Sequence, residues 1–117
     1  MKELPNSNEM EKALLGALLI DDKLVTSFFN EGEVEWFYSS KNNTIANAIY
    51  ELALKWDAVD LMTLKESLST TGKLDWIGGI TYLVELTEGA NSFNWSTYSE
   101  KLSELYKRRE VMKQADK

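Results

Sequence analysis

The C-terminal end of the chain decides the fold, because residues 95–112 read WSTYSEKLSELYKRREVM without a glycine or proline. A single long helix is expected there. Spacings of three and four alternate along it through Trp95, Tyr98, Leu102, Leu105, Arg109 and Met112. This is a heptad seam with an arginine at one core-type position. Since the seam is too short for a self-sufficient coiled coil, we expect it to pack on a helix of the same chain or of another copy.

The residues before this segment predict five shorter amphipathic helices. The first begins at Asn6 or Ser7 and contains Gly16, where we expect another backbone to pack closely. Polar N-caps open the next three helices, at Asp21 or Asp22, at Ser39 or Ser40, and at Asp60. The fifth follows Gly79; residues 80–84 have strand-like types, but helical spacing and the lack of a partner strand favour a helix.

The fold class is therefore all-α, a compact bundle of about five to six helices ending in a long C-terminal helix. At 117 residues the chain has the size of one domain. We expect residues 1–93 to form a helical globular head and residues 94–117 to form the terminal helix, within one domain overall.

Tryptophans are numerous for this length, and most are expected in the core. In the third helix Ile45, Ile49, Leu52 and Trp56 follow an i, i+4, i+7, i+11 pattern, which predicts one inward face. Trp95 is the exception, because it opens the heptad seam and tryptophan is enriched among interface anchors.

Composition narrows the possible chemistry. The chain has no cysteine and no histidine, which excludes disulfides and thiolate nucleophiles and removes the commonest general base. Thr71-Gly72-Lys73 is not part of a P-loop, because Leu74 stands where the hydroxyl residue is needed. The carboxylates Asp57, Asp60, Glu31, Glu33 and Glu35 lack the spacing of a calcium loop. We therefore expect no catalytic residue, cofactor or metal in this chain.

Charge is distributed unevenly. The net charge is −6, yet residues 101–117 carry 6 basic and 3 acidic side chains. The basic cluster Lys107, Arg108, Arg109 and Lys113 suits either nucleic acid or the negative end of the helix dipole, and the second reading is favoured. No apolar run approaches the roughly 20 residues that span a bilayer, and the N-terminus lacks a secretory signal layout. A cytoplasmic location without membrane contact is expected.

One ordered set of residues runs through nearly the whole chain: Leu4-Pro5, Glu9, Glu11, Leu15-Gly16, Phe37-Tyr38, Asp60-Leu61, Thr63-Leu64, Leu68, Gly72-Lys73-Leu74, Gly78-Gly79, Tyr82-Leu83, Glu85-Leu86, Asn94, Tyr98 and Arg109. This set resembles the N-terminal domain of DnaB-type replicative helicases. The chain departs from the family where a histidine often follows the Phe-Tyr pair by about four residues. Asn42-Asn43 stand there instead, which makes a divergent phage- or plasmid-encoded branch plausible.

The resemblance implies a helical head followed by the first arm of a helical hairpin, whose second arm would lie beyond Lys117. It implies pairing of heads through hairpins, a dimer for this fragment and a hexamer for the parent. It also implies recruitment of a DnaG-type primase and, as in some family members, of a helicase loader. The ATP- and Mg²⁺-dependent helicase domain would lie downstream, and DNA contact by this domain would be weak or absent. The expected partner or oligomer interface comprises Trp95, Tyr98, Leu102, Leu105, Tyr106 and Arg109.

Two other functions stay open at this point. A free-standing regulator or adaptor that binds primase, loader or helicase would carry the same helices. It would differ from a helicase fragment if the reading frame did not continue into a P-loop domain. A hydrolase using two carboxylates is disfavoured, because nothing in the sequence places such a pair around a cleft.

Overall fold

A computed structural model of the protein describes residues 3–115. The six α-helices within that range are α1 (Asn8–Ile20), α2 (Lys23–Phe29), α3 (Ser40–Leu54), α4 (Leu61–Thr70), α5 (Gly79–Thr87) and α6 (Trp95–Ala115). Short 3-10 turns lie at Val34–Trp36 and Ser92–Asn94, and the described part of the chain contains no strand. The predicted all-α fold with a long C-terminal helix is confirmed. Residues 1, 2, 116 and 117, at the outer bounds of the predicted head and terminal helix, lie outside the described residues.

Local sequence signals account for the start of α1 and for both ends of α4. The Ser7 hydroxyl accepts a hydrogen bond from the Met10 amide and begins α1. At α4 the Asp60 carboxylate accepts from the Thr63 amide while the Thr63 hydroxyl accepts from the Asp60 amide, which is a reciprocal capping box. Gly72 follows α4 with φ of 72°, a left-handed conformation that glycine adopts readily after a helix.

The core is built around α1, which contacts α2, α3, α5 and α6. Leu14, Leu15 and Leu18 on this helix are completely or almost completely buried. The predicted close packing at Gly16 is confirmed, because a Cβ atom there would overlap the carbonyl oxygen of Leu86 on α5. The glycine therefore sets the distance between α1 and α5.

The prediction that Trp56 lies on the inward face of α3 is wrong. Ile45, Ile49 and Leu52 are buried as predicted, but Trp56 is 95% exposed. Helix α3 ends at Leu54, and Trp56 has a left-handed backbone with φ of 62°, so the helical periodicity no longer applies to it. Of the other tryptophans, Trp36 is buried and Trp76 is largely exposed.

Helix α6 lies along α1 and also contacts the 3-10 turn at Val34–Trp36. Its 21 residues span roughly 30 Å at the usual helical rise. No helix among residues 3–115 combines the length and the hydropathy needed to cross a bilayer.

Candidate interaction surface along the terminal helix

The apolar stripe of α6 packs on the same chain, one of the two arrangements that its spacing allowed. Leu102 is fully buried within the core. Trp95, Tyr98, Leu105 and Tyr106 pack against that core while keeping part of their surface exposed. In this arrangement Leu102 presents nothing to a partner, whereas the other four offer partial surfaces.

Besides Leu102, Arg109 is the other buried residue that anchors α6 to the rest of the chain, and it is only 3% exposed. Its Nη1 donates to the Pro5 carbonyl oxygen at 2.9 Å, and its Nη2 donates to the carbonyl oxygens of Trp36 and Glu35 at 3.1 and 3.3 Å. The forked guanidinium thus bonds two separate backbone segments at once. In this position the Arg109 side chain makes its contacts within the chain.

Two aromatic rings lie beside the Arg109 guanidinium, and the charge of Glu11 also acts on it. Its guanidinium carbon lies 5.2 Å from the ring centre of Tyr38 and 5.7 Å from that of Tyr106, within cation–π range. Burial lowers the pKa of the Arg109 guanidinium, and the charge of Glu11 opposes that shift. Arginine nevertheless keeps its charge in proteins. The cation is thus held mainly by carbonyl dipoles and aromatic faces.

Glu11 on α1 is a buried carboxylate that stabilises the start of α3. It accepts hydrogen bonds from the backbone amides of Tyr38 and Ser39 at 2.8 and 3.2 Å. Ser39 occupies the N-cap position of α3, but its own side chain makes no capping bond. A negative group is favourable at a helix N-terminus. Glu11 therefore acts as the cap of a helix far from it in sequence.

Asn42 joins the Glu11 site to α5. This fully buried amide donates to Glu11 Oε1 at 3.0 Å and to Asn8 Oδ1 at 2.9 Å, and it accepts from the Tyr82 hydroxyl at 2.6 Å. Burial, followed by the charges of Glu85 and Glu11, raises the pKa of Tyr82. Asn42 thereby forms a structural link among α1, α3 and α5.

The buried polar side chains serve the fold. Every buried side-chain nitrogen or oxygen among residues 3–115 has a hydrogen-bond partner. Within the same range no group of three potential metal ligands converges. The network of Glu11 and Asn42 therefore joins α1, α3 and α5, and Arg109 holds α6 to the same head.

Sequence reasoning recognised Arg109 as a polar residue in a core-type position but missed Glu11 and Asn42. The same signal was present for both. Glu11 precedes Leu14 and Leu15 by three and four residues on the apolar face of α1, and Asn42 precedes Ile45 by three on α3. A polar side chain in register with an apolar stripe is a candidate for a buried network.

The basic cluster near the end of α6 is divided by burial. Lys107, Arg108 and Lys113 are exposed, whereas Arg109 points into the chain. Lys113 lies in the last turn of α6 and is 3.5 Å from Glu110. The exposed cations thus number fewer than the sequence cluster indicated.

Comparisons with known proteins agree with this architecture. Residues 3–104 match the family model described as DnaB-like helicase N terminal domain. "Replicative DNA helicase DnaB" of Buchnera aphidicola subsp. Baizongia pistaciae is 35% identical over 116 residues, which are 98% of this chain and 25% of that protein. The protein of the same name from Treponema pallidum is 31% identical over 112 residues, which are 95% of this chain and 26% of that protein.

A solved structure shows the same fold. The N-terminal domain of DnaB helicase from Mycobacterium tuberculosis superposes with a TM-score of 0.92 at 22% identity, over 97% of this chain and 80% of that one. The chain spans about a quarter of the length of the two curated relatives. The family match covers most of the chain and agrees with the resemblance found in the sequence. This chain therefore belongs to the DnaB-like helicase N-terminal domain family.

Proposed function

We propose that this domain supports assembly of a replicative helicase ring and recruits a DnaG-type primase, a helicase loader or both. The parent protein would be an ATP-dependent DNA helicase whose ATP and Mg²⁺ bind in a downstream domain. Membership of the DnaB family and the names of the relatives, replicative DNA helicases, support this proposal.

The observation that carries the proposal is the division of α6 into an anchored part and a projecting part. Leu102 and Arg109 hold the helix to the head, but Val111 is 68% exposed and the adjacent Met112 is 41% exposed. Two adjacent apolar side chains beyond the last anchor favour a second helix as their cover. Trp95, Tyr98, Leu105 and Tyr106 add partly exposed surface along the same helix.

Sedimentation equilibrium tests the oligomerisation role. We expect the chain to self-associate with rising concentration, and Val111→Glu to weaken association because it places a charge in the apolar contact. Thr97→Glu is the matched control, since Thr97 is an exposed residue of the same helix. A strictly monomeric chain, or equal association of the two variants, would contradict the proposed surface.

A pull-down with the C-terminal domain of the cognate primase tests recruitment. Trp95→Ala and Tyr98→Ala are expected to reduce capture while circular dichroism shows an intact fold. Retained capture by both variants would move the primase site to the head. Absence of capture by the unaltered chain would remove primase from the proposal.

A further inference from the structure

Helices α3 and α4 end with the same hydrogen-bond motif but with different residues at its key position. At the end of α3 the Trp56 amide donates to the Ala53 carbonyl oxygen at 3.2 Å, and the Asp57 amide donates to Leu52 at 3.1 Å. This pair of bonds defines a Schellman motif with Trp56 at the left-handed position.

Glycine occupies the equivalent place after α4. The Gly72 amide donates to the Ser69 carbonyl oxygen at 3.0 Å, and the Lys73 amide donates to Leu68 at 2.8 Å. The φ angles at Gly72 and Trp56 are 72° and 62°. An L-residue is unfavourable in this conformation, whereas glycine is not. The backbone alone would therefore favour glycine at both positions.

Packing does not account for the tryptophan either. Trp56 is 95% exposed, and no ring or cation among residues 3–115 stacks on its indole. Neither backbone preference nor burial thus explains a tryptophan here. Large exposed aromatic side chains are the residues that most often anchor protein contacts.

Further apolar surface lies at the same corner of the head. Leu54 ends α3 and Met62 lies in the first turn of α4, and both are strongly exposed. Together with Trp56 they form what we term the α3–α4 corner. The connection between the two helices, residues 55–60, keeps these side chains at one end of the bundle.

A groove of about 390 Å³ adjoins the corner between α3 and α4. Its walls carry three carboxylates, those of Glu51, Asp57 and Glu66, against the single cation of Lys55. None of these four forms an ion pair within residues 3–115. The groove is therefore net negative beside an exposed indole, which disfavours nucleic acid and favours cationic side chains.

We propose that the α3–α4 corner binds a segment of another protein in which arginine or lysine alternates with apolar residues. The apolar residues contact Trp56, Leu54 and Met62. The cations enter the acidic groove and approach the indole face. This surface is separate from the α6 stripe, so it stands independently of the oligomerisation proposed above.

NMR titration of the whole chain with defined peptides tests this inference. The probe is a short synthetic peptide in which arginine and leucine alternate, and its counterpart carries glutamate in place of every arginine. We expect the arginine peptide to shift the Trp56 indole N–H resonance, assigned by its loss in Trp56→Gly, and we expect the glutamate peptide to leave it in place. Added salt should weaken the interaction.

Variants of Trp56 distinguish the contribution of its side chain to binding from the effect of its backbone conformation on stability. Peptide binding is compared by isothermal titration calorimetry, which does not depend on the Trp56 resonance. Trp56→Gly and Trp56→Ala should both weaken it about tenfold or more, because both lose the anchor. Only the glycine variant relieves the left-handed conformation, so it alone should raise the urea midpoint. Phe93→Ala is the matched control, since Phe93 is 93% exposed on a different segment and should leave binding unchanged.

Several results would overturn the inference. They are equal binding of the two peptides, unchanged binding by Trp56→Gly, and an equal loss in Phe93→Ala. A lower urea midpoint for Trp56→Gly would show that the indole serves the fold. A concentration-dependent shift of the Trp56 resonance without peptide would identify a second copy of the chain as the occupant.

Discussion

Glu11 on α1 and Asn42 on α3 meet inside the protein, where the Asn42 amide donates to Glu11 Oε1 at 3.0 Å. The two residues are 31 positions apart, and both side chains are buried. Glu11 also bonds the backbone at the start of α3, and Asn42 also bonds Tyr82 on a third helix, α5. This contact joins α1, α3 and α5, and α6 lies along α1.

Glu11→Ala is expected to lower the free energy of unfolding by about 2–4 kcal/mol. The substitution leaves the amides of Tyr38 and Ser39 and the side chain of Asn42 without their acceptor, and unsatisfied buried groups are costly. Urea denaturation followed by tryptophan fluorescence measures the effect. Glu9→Ala is the control, because Glu9 is exposed on the same helix and should change stability by less than about 0.5 kcal/mol. Equal effects would contradict a capping role for Glu11.

Arg109→Lys is expected to destabilise the chain by about 2–3 kcal/mol despite keeping the charge. A lysine ammonium lacks the fork that reaches the carbonyl oxygens of Pro5 and Trp36 together. Thermal unfolding compared with Arg108→Lys measures the difference, since Arg108 is the exposed neighbour. If the two variants unfolded at the same temperature, Arg109 would not be the anchor of α6.

Trp56→Gly and Gly72→Ala are expected to shift stability in opposite directions, each by about 1 kcal/mol. The first removes a side chain from a left-handed position, and the second adds one. A Cβ atom at Gly72 would meet nothing within 4 Å, so its effect would be conformational only. Chemical denaturation of each variant shows whether its free energy of unfolding rises or falls. A stabilised Gly72→Ala would contradict the argument from backbone conformation.

The raised pKa of Tyr82 predicts a loss of stability at alkaline pH. The folded state holds the phenolic proton more tightly than the unfolded state, so this contribution is present below the unfolded pKa of about 10 and declines as pH rises above it. The stability advantage over Tyr82→Phe should therefore narrow between about pH 9 and pH 11. Urea midpoints across that range measure it. A constant difference would contradict the assignment, and Tyr50→Phe controls for removal of an exposed phenol.

The sequence by itself determined the helices, because their signals are local. Asp60 with Thr63 and Gly72 act within a few residues of the ends that they form, and Gly16 marked a close approach by being a glycine in a helix interior. The spacing of Leu102 and Arg109 likewise predicted a covered face on α6. Such periodicity indicates which side chains are buried.

Only the tertiary structure decided what covers each face. Leu102 is buried against helices of the same chain, and Trp56 lies in solvent where α3 ends. Asn42 donates a hydrogen bond to Glu11, which is 31 positions earlier in the sequence. Apolar burial is nondirectional, so a stripe does not specify its partner. Hydrogen bonds between distant residues depend on how the helices are placed, and that placement arises from the packing of the whole chain.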